Sequence, residues 1–457
     1  MTAPIKTHCF KPYDIRGQVP SDLSEEVTYR IGRAMVVELQ GKNIVLGRDM
    51  RLESPMLADA MTRGLLEGGA NVIDIGLCGT EEVYFATSAF KADGGVMITA
   101  SHNPKGYNGM KLVKSESRPI SGDTGLNAIR DRVESGDLGV LADIPGQVRF
   151  ELEKTAYIEH LLSYINLADL KPLKILADPG NGAAGPVLQH LIKKLPFEWV
   201  VINAEPDGNF PNGVPNPLLP ENRALTRNAL LEHGCDLAIA WDGDFDRCFF
   251  FDQDGRFIEG YYVVGLLAEM LLKKSPGSRI IHDPRLTWNT IDQVRLAGGV
   301  SVQCKTGHAF IKERMRLENA IYGGEMSAHH YFRDFAYCDS GMIPWLLVTA
   351  LMSESSKNLA QLVDERIVAY PCSGEINYRV NDVAAALDEV LKHYLSQGPR
   401  LDKTDGVSLE FSEWRFNLRG SNTEPLLRLN VESKGDPELV ASKVKEIEGL
   451  LNSRYME

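Results

Sequence analysis

The sequence lacks the features that would direct the chain to a membrane. Its strongest apolar run, residues 342–352, contains a proline and is too short to cross a bilayer. The N-terminal residues also lack the continuous apolar segment of a signal peptide. We therefore expect a soluble cytoplasmic protein with no membrane partner.

The sequence has few cysteines and fewer basic than acidic residues. The seven cysteines show no Cys-x-x-Cys spacing, which favours reduced, buried thiols over a disulfide framework or a zinc site. Lys and Arg number 49 against 62 Asp and Glu, and the net charge of −13 disfavours a nucleic-acid partner. An anionic substrate would therefore need local positive charge or a metal.

The chain is too long for one hydrophobic core, because single cores stop growing at roughly 250 to 300 residues. A pattern repeats in three regions of the chain. In each region an early apolar segment ends in an aspartate, and a later apolar segment ends in a cluster of polar residues; the aspartates are Asp49, Asp178 and Asp283. Helical patterns alternate with these segments, as is typical of parallel βαβ units. We predict an α/β fold of three topologically related domains with mixed, mostly parallel sheets, plus a smaller C-terminal α+β domain, around a central cleft. The predicted domains are residues 1–150, 151–256, 257–368 and 369–457.

A serine follows the apolar segment 94–99, where open α/β sheets place their chemistry. Ser101 next to His102 suggests a nucleophile and a base. On an extended chain, however, adjacent side chains point to opposite faces. From this stretch alone, an ordinary polar loop is the favoured interpretation.

Three aspartates at steps of two, Asp242, Asp244 and Asp246, follow another apolar segment. A calcium loop would need glycine at position six and glutamate at position twelve, where the chain has Arg247 and Gln253. A polar turn without a ligand is the simpler alternative. Because close carboxylates repel one another unless a cation neutralises them, we favour a site for Mg²⁺, which also accepts phosphate oxygens.

Two further polar stretches lie in the C-terminal half. Residues 419–428, RGSNTEPLLR, combine arginines, hydroxyls and an amide that suit a phosphate, although a polar turn between two strands would look similar. Residues 324–330, GEMSAHH, offer carboxylate, hydroxyl and imidazole groups suited to sugar hydroxyls. The tandem histidines lack a spaced third ligand for a metal.

Five motifs occur in order along nearly the whole chain: FKPYDIRG, TASHNP, DGDFDR, GEMSAHH and RGSNTEP. With them the sequence resembles the α-D-phosphohexomutase family, most closely its phosphomannomutase/phosphoglucomutase branch. The resemblance implies that Ser101 carries a phosphoryl group and shares Mg²⁺ with the three aspartates. It implies catalytic roles for His102, Lys111, Arg247 and Arg16. It implies sugar-phosphate contacts for Tyr13, Arg285, His308, Glu325, Ser327, His329, Arg419, Ser421, Asn422 and Thr423. Ala328 stands where the family often has glycine.

The implied reaction interconverts mannose 6-phosphate and mannose 1-phosphate, the precursor of GDP-mannose. Phosphoserine gives its phosphoryl group to the sugar, the bisphosphosugar turns around, and the other phosphoryl group returns to Ser101. A hexose 1,6-bisphosphate would be the activator, and His102 and Lys111 are the candidates for proton transfer. The alternatives are a phosphoglucomutase, a dual-specificity enzyme, and a Mg²⁺-dependent phosphatase using the same serine. The sequence leaves monomer and dimer open.

Overall fold

A computed structural model describes Ile5 and residues 7–420 and 426–452 of the chain. The chain divides into two compact units. The first comprises Met1–Phe257 and His329–Ser356, and the second comprises Ile258–Ala328 and Lys357–Glu457. Within the described ranges, no helix has the length and apolar character needed to cross a membrane.

The first unit opens with a mixed sheet flanked by helices. Its elements are β1 (Ile15–Gln18), α1 (Glu25–Leu39), β2 (Asn43–Arg48), α2 (Ser54–Glu67), β3 (Asn71–Leu77), α3 (Thr80–Ala89), β4 (Gly94–Ile98), β5 (Tyr107–Lys114), β6 (Arg118–Pro119), α4 (Leu126–Ser135) and β7 (Val148–Phe150). The strand order is β1-β5-β4-β2-β3-β7, with β6 beside β5. β4, β2, β3 and β7 run parallel, and β5 runs antiparallel to β4.

Helix α1 begins where the sequence places a cap. The Ser24 hydroxyl accepts a hydrogen bond from the N–H of Val27 at 3.3 Å and satisfies one of the unpaired donors of the first turn. Helices α1 and α2 pack closely because α2 carries Gly64, where an added Cβ would lie 2.2 Å from the carbonyl oxygen of Tyr29. The apolar faces of both helices join the buried strand residues in one core.

A second sheet follows in the same unit. Its elements are α5 (Thr155–Leu162), β8 (Lys174–Asp178), α6 (Ala184–Ile192), β9 (Glu198–Val201), α7 (Ala224–His233), β10 (Leu237–Trp241), β11 (Cys248–Asp252) and β12 (Phe257–Ile258). The strand order is β12-β11-β10-β8-β9. β8 is parallel to both β9 and β10, and β11 is antiparallel to β10.

The second unit begins with α8 (Gly260–Lys274), β13 (Arg279–His282), α9 (Trp288–Leu296), β14 (Val300–Gln303), α10 (His308–Glu318) and β15 (Tyr322–Gly324). The chain then adds β16 (His330–Phe332), β17 (Cys338–Asp339) and α11 (Ile343–Ser355) to the first unit. The second unit ends with α12 (Leu359–Ala369), β18 (Cys372–Arg379), α13 (Val383–Leu395), β19 (Arg400–Asp402), β20 (Val407–Glu410), β21 (Trp414–Gly420), β22 (Leu426–Ser433) and α14 (Pro437–Asn452).

The predicted relation among three α/β regions is confirmed by their strand orders. In each, the first strand of a parallel trio lies between the second and the third: β3-β2-β4, β9-β8-β10 and β14-β13-β15. The last sheet, β18-β22-β21-β20-β19, is antiparallel, as predicted for an α+β tail.

Strand β15 begins at Tyr322, after the apolar residues Ala320 and Ile321. Asn319 is in the left-handed region and ends α10, and the N–H of Ala320 still bonds to the carbonyl oxygen of Met315 at 2.9 Å. Asn319 and Ala320 therefore complete the end of the helix, whereas the N–H of Ile321 already donates to the carbonyl oxygen of Arg279 in β13 at 3.1 Å.

Within the first unit, a buried glutamate fastens α3 to the start of α11. The Glu81 carboxylate accepts hydrogen bonds from the N–H groups of Gly341 at 2.5 Å and Met342 at 3.1 Å. It also accepts from the hydroxyls of Ser340 at 2.8 Å and Tyr157 at 2.7 Å. The Ser340 hydroxyl in turn accepts from the N–H of Ile343, the first residue of α11, at 3.0 Å. Because the first N–H groups of a helix have no partner inside the helix, Glu81 and Ser340 together cap the start of α11.

We expect Glu81→Ala to lower the free energy of unfolding by about 3 kcal/mol, because it leaves several buried donors without an acceptor. The matched control is Glu232→Ala, which removes an exposed carboxylate and should change the value by less than about 0.5 kcal/mol. Urea denaturation followed by circular dichroism measures both. Equal midpoints for the two variants would contradict the capping role.

Candidate active site

Ser101 lies in a tight loop directly after β4. Its φ of 49° is in the left-handed region, so the chain is not extended there. The expectation that Ser101 and His102 face opposite ways is therefore wrong: Ser101 Oγ lies 3.1 Å from Nδ1 of His102. The loop is closed by Thr99, whose hydroxyl accepts from the N–H of Ser101 at 2.8 Å.

A buried arginine from the end of β2 holds this loop. The Arg51 guanidinium donates four hydrogen bonds of 2.6–3.0 Å to the backbone carbonyls of Ser101, Asn103, Pro104 and Tyr107. Asp49 accepts from the N–H of Arg51 at 3.0 Å and fixes the turn that carries it. No motif marks Arg51, although its position after a central strand is a usable signal.

The three aspartates lie in the loop after β10, against the serine loop. A Cβ added to Gly243 would lie 2.6 Å from the carbonyl oxygen of Ser101, so only glycine allows this approach. One oxygen from each of Asp242, Asp244 and Asp246 lies within 4.8 Å of the others. Oδ1 of each is buried and has no hydrogen-bond partner among the described residues.

The other carboxylate oxygen of each aspartate, Oδ2, contacts a cationic side chain. Lys111 Nζ, on β5, lies 2.7 Å from Oδ2 of Asp244 and 2.5 Å from Oδ2 of Asp246. Thr80, at the start of α3, donates to the same Asp244 oxygen at 2.5 Å. Sequence reasoning missed Thr80, which carries no motif but follows the end of β3. Burial alone would lower the pKa of Lys111, but Asp244 and Asp246 outweigh it and raise the pKa, so this lysine stays charged.

Arg247 connects the aspartates to the serine loop. Its Nε donates to Oδ2 of Asp242 at 2.8 Å, and its Nη2 lies 2.6 Å from Nδ1 of His102. Ser101 Oγ donates to the same Asp242 oxygen at 3.0 Å. Because arginine can only donate, Nδ1 of His102 is an acceptor here. Burial, together with the charge of Arg247, lowers the pKa of His102 well below its ordinary value, so the imidazole is neutral.

The charged side chains around Asp242, Asp244 and Asp246 leave this site with more negative than positive charge. Among the described residues, two permanently charged cations, Lys111 and Arg247, pair with the three carboxylates around the neutral His102. Burial raises the pKa of Asp242 to about 7 in spite of Arg247. For Asp246, burial is outweighed by Lys111 and the other neighbouring cations, which lower the pKa well below its ordinary value. The buried acceptor oxygens and the excess of negative charge fit a divalent cation such as Mg²⁺.

Three more of the predicted residues lie in the first unit. Arg16, on β1, donates to Oδ1 of Asn103 at 2.6 Å and so contacts the serine loop. Tyr13 is half-buried just before β1. His329 Nε2 lies 3.7 Å from Oδ1 of Asp246. The structure thus places His329 with the aspartates.

In the second unit, Arg285 organises the predicted sugar-binding loop. It pairs with Asp283 at 2.7 Å, lies 3.7 Å from a carboxylate oxygen of Glu325 and donates to Ser327 Oγ at 3.2 Å. Glu325 also accepts from the N–H of Gly307, which precedes His308 at the start of α10. The arrangement presents carboxylate, hydroxyl and guanidinium groups together.

Ala328, which stands where the family often has glycine, has a φ of 69°. This is the left-handed region that favours glycine, because an L side chain crowds the backbone there. The departure from the family pattern therefore falls at a position where a Cβ is sterically unfavourable.

A half-buried glutamate in β18, Glu375, contacts three arginines of the second unit. Glu375 lies 3.4 Å from Nη1 of Arg285, 3.1 Å from Nη2 of Arg419 and 3.7 Å from Nη1 of Arg428. Because Arg285 also pairs with Asp283, the single carboxylate of Glu375 is left to offset Arg419 and Arg428, and the surplus positive charge of these two suits an anion. Sequence reasoning missed Glu375, since a single acid in a strand has no motif. The predicted Ser421, Asn422 and Thr423 lie outside the described residues.

Comparison with known proteins identifies the family of the chain. Four family models described as phosphoglucomutase/phosphomannomutase, α/β/α domains I, II and III and the C-terminal domain, match residues 7–139, 155–255, 259–370 and 375–450. A curated relative from Xanthomonas campestris pv. campestris, named phosphohexose mutases, is 60% identical over 97% of this chain and 98% of its own. The chain belongs to the phosphoglucomutase/phosphomannomutase family. It is an isomerase that works as a phosphotransferase.

Other members of the phosphoglucomutase/phosphomannomutase family match equally completely. Phosphomannomutase from Salmonella montevideo is 57% identical over 97% of this chain and 99% of its own. Phosphomannomutase from Escherichia coli strain K12 is 54% identical over 98% of this chain and 99% of its own. A solved family protein from Burkholderia thailandensis superposes with a TM-score of 0.88 at 30% identity and covers 98% of both chains.

Gly243→Ala should lower kcat/KM by about 100-fold. The added Cβ would push the serine loop away from Asp242, and a displacement of about 1 Å at a reacting group lowers the rate on this scale. Gly449→Ala is the matched control, since a Cβ there meets nothing within 4 Å. Steady-state mutase kinetics compare the two, with thermal melting to show that both fold. Wild-type kinetics in Gly243→Ala would show that contact between the two loops is not required.

Proposed function

We propose that the chain is a phosphomannomutase that interconverts mannose 6-phosphate and mannose 1-phosphate through a phosphoserine at Ser101. The observation that carries this proposal is the 3.0 Å contact of Ser101 Oγ with Asp242, beside two further aspartates. A hydroxyl at the edge of a cation site can hold a phosphoryl group whose charge the cation offsets. The relatives named phosphomannomutase support the choice of sugar.

We propose that Mg²⁺ is held by Asp242, Asp244 and Asp246 together with an oxygen on Ser101. Their buried Oδ1 atoms, which have no hydrogen-bond partner among the described residues, are hard oxygen ligands of the kind Mg²⁺ prefers. A solved N-acetylphosphoglucosamine mutase from Aspergillus fumigatus is a complex with GlcNAc-6P and magnesium. When bound, the ion supplies positive charge that stabilises the phosphoryl group during transfer.

The other residues of the first unit would position and neutralise the reacting groups. The phosphoryl group passes from Ser101 Oγ to a sugar hydroxyl. Arg247, which donates to the same Asp242 oxygen as Ser101, would donate to the phosphoryl oxygens. Arg16 stabilises the serine loop through Asn103. The hydroxyl must lose a proton, and His102 and Lys111 are the two candidates to accept it. The positive charge of Lys111 also offsets the charges of Asp244 and Asp246.

We propose that the second unit binds the rest of the sugar phosphate. Glu325, Ser327 and His308 contact hexose hydroxyls. The distal phosphate is bound by Arg285, Arg419, Ser421, Asn422 and Thr423. Tyr13 and His329, from the first unit, complete the set of substrate contacts. The pairing of both Arg419 and Arg428 with the single carboxylate of Glu375 supports the phosphate assignment.

The reaction cycle requires a bisphosphosugar that reorients before the second transfer, so a hexose 1,6-bisphosphate would charge Ser101 initially and act as activator. The product, mannose 1-phosphate, would feed GDP-mannose synthesis in the cytoplasm. The four domain bounds 1–150, 151–256, 257–368 and 369–457 are part of this proposal.

Ser101→Ala should lower turnover of mannose 1-phosphate by about 10⁴-fold or more, because it removes the oxygen that carries the phosphoryl group. Intact mass after incubation with glucose 1,6-bisphosphate should show one added phosphoryl group on the wild type and none on the variant. Ser135→Ala, which changes an exposed serine, should behave as the wild type.

Parallel assays with mannose 1-phosphate and glucose 1-phosphate test the substrate assignment. A higher kcat/KM for the mannose compound supports it, and equal values would make the enzyme dual-specific. Net release of inorganic phosphate in place of the isomer would identify a phosphatase. Full turnover by Ser101→Ala would remove Ser101 from the mechanism.

Chelation should abolish activity, and Mg²⁺ should restore it. Asp244→Asn should weaken Mg²⁺ binding by about 10- to 100-fold in isothermal titration calorimetry, because it removes one charged ligand. The control is Asp254→Asn, in the exposed turn after β11, which should leave the titration unchanged. Activity in chelated enzyme, or equal Mg²⁺ affinity for the two variants, would argue against the aspartate site.

A further inference from the structure

An exposed apolar strand ends the first sheet. β7 is the last strand in the order β1-β5-β4-β2-β3-β7, so only β3 pairs with it among the described strands. Phe150 is 67% exposed and Leu152 61%, and in the preceding loop Val140 is 90% and Ile144 85% exposed. Edge strands offer unpaired backbone groups, and clustered exposed apolar side chains mark interaction surfaces.

The hydrogen bonds to β3 show which backbone groups of β7 face outward. The N–H of Val72 donates to the carbonyl of Gln147 at 2.9 Å, and the N–H of Glu151 donates to the carbonyl of Asp74 at 2.9 Å. In a parallel sheet, every second residue of a strand directs both its N–H and its C=O group to the same neighbouring strand. The odd-numbered residues of β7 therefore bond to β3. Residues 148, 150 and 152 therefore direct their N–H and C=O groups to the free edge.

Residues 148–152, Val-Arg-Phe-Glu-Leu, complement themselves when two copies run antiparallel. With Phe150 opposite Phe150, Val148 opposes Leu152, and Arg149 opposes Glu151. In this register the residue pairs 148/152 and 150/150 exchange backbone hydrogen bonds across the interface. These are the residues whose N–H and C=O groups face the free edge. The pair 149/151 is then non-hydrogen-bonded, where side chains lie closest and opposite charges attract most.

We propose that β7 pairs antiparallel with β7 of a second copy of this chain, about a two-fold axis at Phe150, and forms a homodimer. Such an interface is isologous, because the same residues serve both sides. Within one copy, Arg149 Nε lies 3.0 Å from Oε1 of Glu151. In the dimer these two charges also face their counterparts across the axis, and Val148, Phe150 and Leu152 of each copy form an apolar row on one face. This inference does not depend on the proposed sugar substrate.

The charges favour a second copy over an unrelated strand. An unrelated partner would need an acid opposite Arg149 and a base opposite Glu151, whereas this sequence provides both. If these charges served only to prevent pairing, like charges would oppose each other in this register, and they do not. Because the strand is short and stable interfaces bury about 1,200 Å² or more, we expect a dimer that dissociates on dilution.

Sedimentation velocity on the full-length chain, over about a hundredfold range of concentration, tests the proposal. The wild type should shift from monomer to dimer. Phe150→Lys should stay monomeric at concentrations at least about tenfold higher, because two lysines would meet at the axis. Leu317→Lys, at an exposed leucine of α10 that is 77% exposed, should dimerise as the wild type does.

Charge reversal tests the register itself. Arg149→Glu places glutamates opposite each other and should weaken the dimer, as should Glu151→Arg through opposed arginines. The double variant Arg149→Glu/Glu151→Arg should restore it, which general damage to the fold cannot do. Equal melting temperatures show that all variants are folded. A wild type that is monomeric throughout, a dimer unaffected by Phe150→Lys, or a double variant as weak as the singles would overturn the proposal.

Discussion

The constraint on which the site depends is the burial of three like charges. Asp242, Asp244 and Asp246 are nearly inaccessible to water, and their mutual repulsion must be offset locally. Lys111 and Arg247 offset part of it, and each comes from a different element. Because the compensating charges are distributed over β5 and the start of β11, the electrostatics of the site and the packing of the first unit's two sheets depend on each other.

The same contacts explain why the serine loop is shaped as it is. Ser101 adopts a left-handed conformation, which costs free energy for a residue with a Cβ. Four hydrogen bonds from Arg51 to the loop carbonyls, and the close approach permitted by Gly243, hold that conformation. The hydroxyl is thereby placed at the aspartates before any substrate binds, which is the preorganisation that phosphoryl transfer requires.

Much of this arrangement could be predicted from sequence, because period and spacing are local properties. Apolar segments followed by aspartate predicted the central strands β2, β8 and β13, and the steps of two predicted a carboxylate cluster. The orientation of Ser101 could not be predicted, since its backbone conformation depends on contacts with Arg51 and Gly243. Glu375 could not be found either, because its importance comes from three arginines that are distant in sequence from it.

The central claim is that the oxygen on Ser101 and the three aspartates share one divalent ion. Phosphorus NMR of the enzyme phosphorylated with glucose 1,6-bisphosphate tests it most directly. With Mg²⁺ the phosphoserine signal should be sharp, and replacement by paramagnetic Mn²⁺ should broaden it beyond detection. A phosphoserine signal that stays sharp when Mn²⁺ is bound would place the ion away from Ser101 and contradict the account.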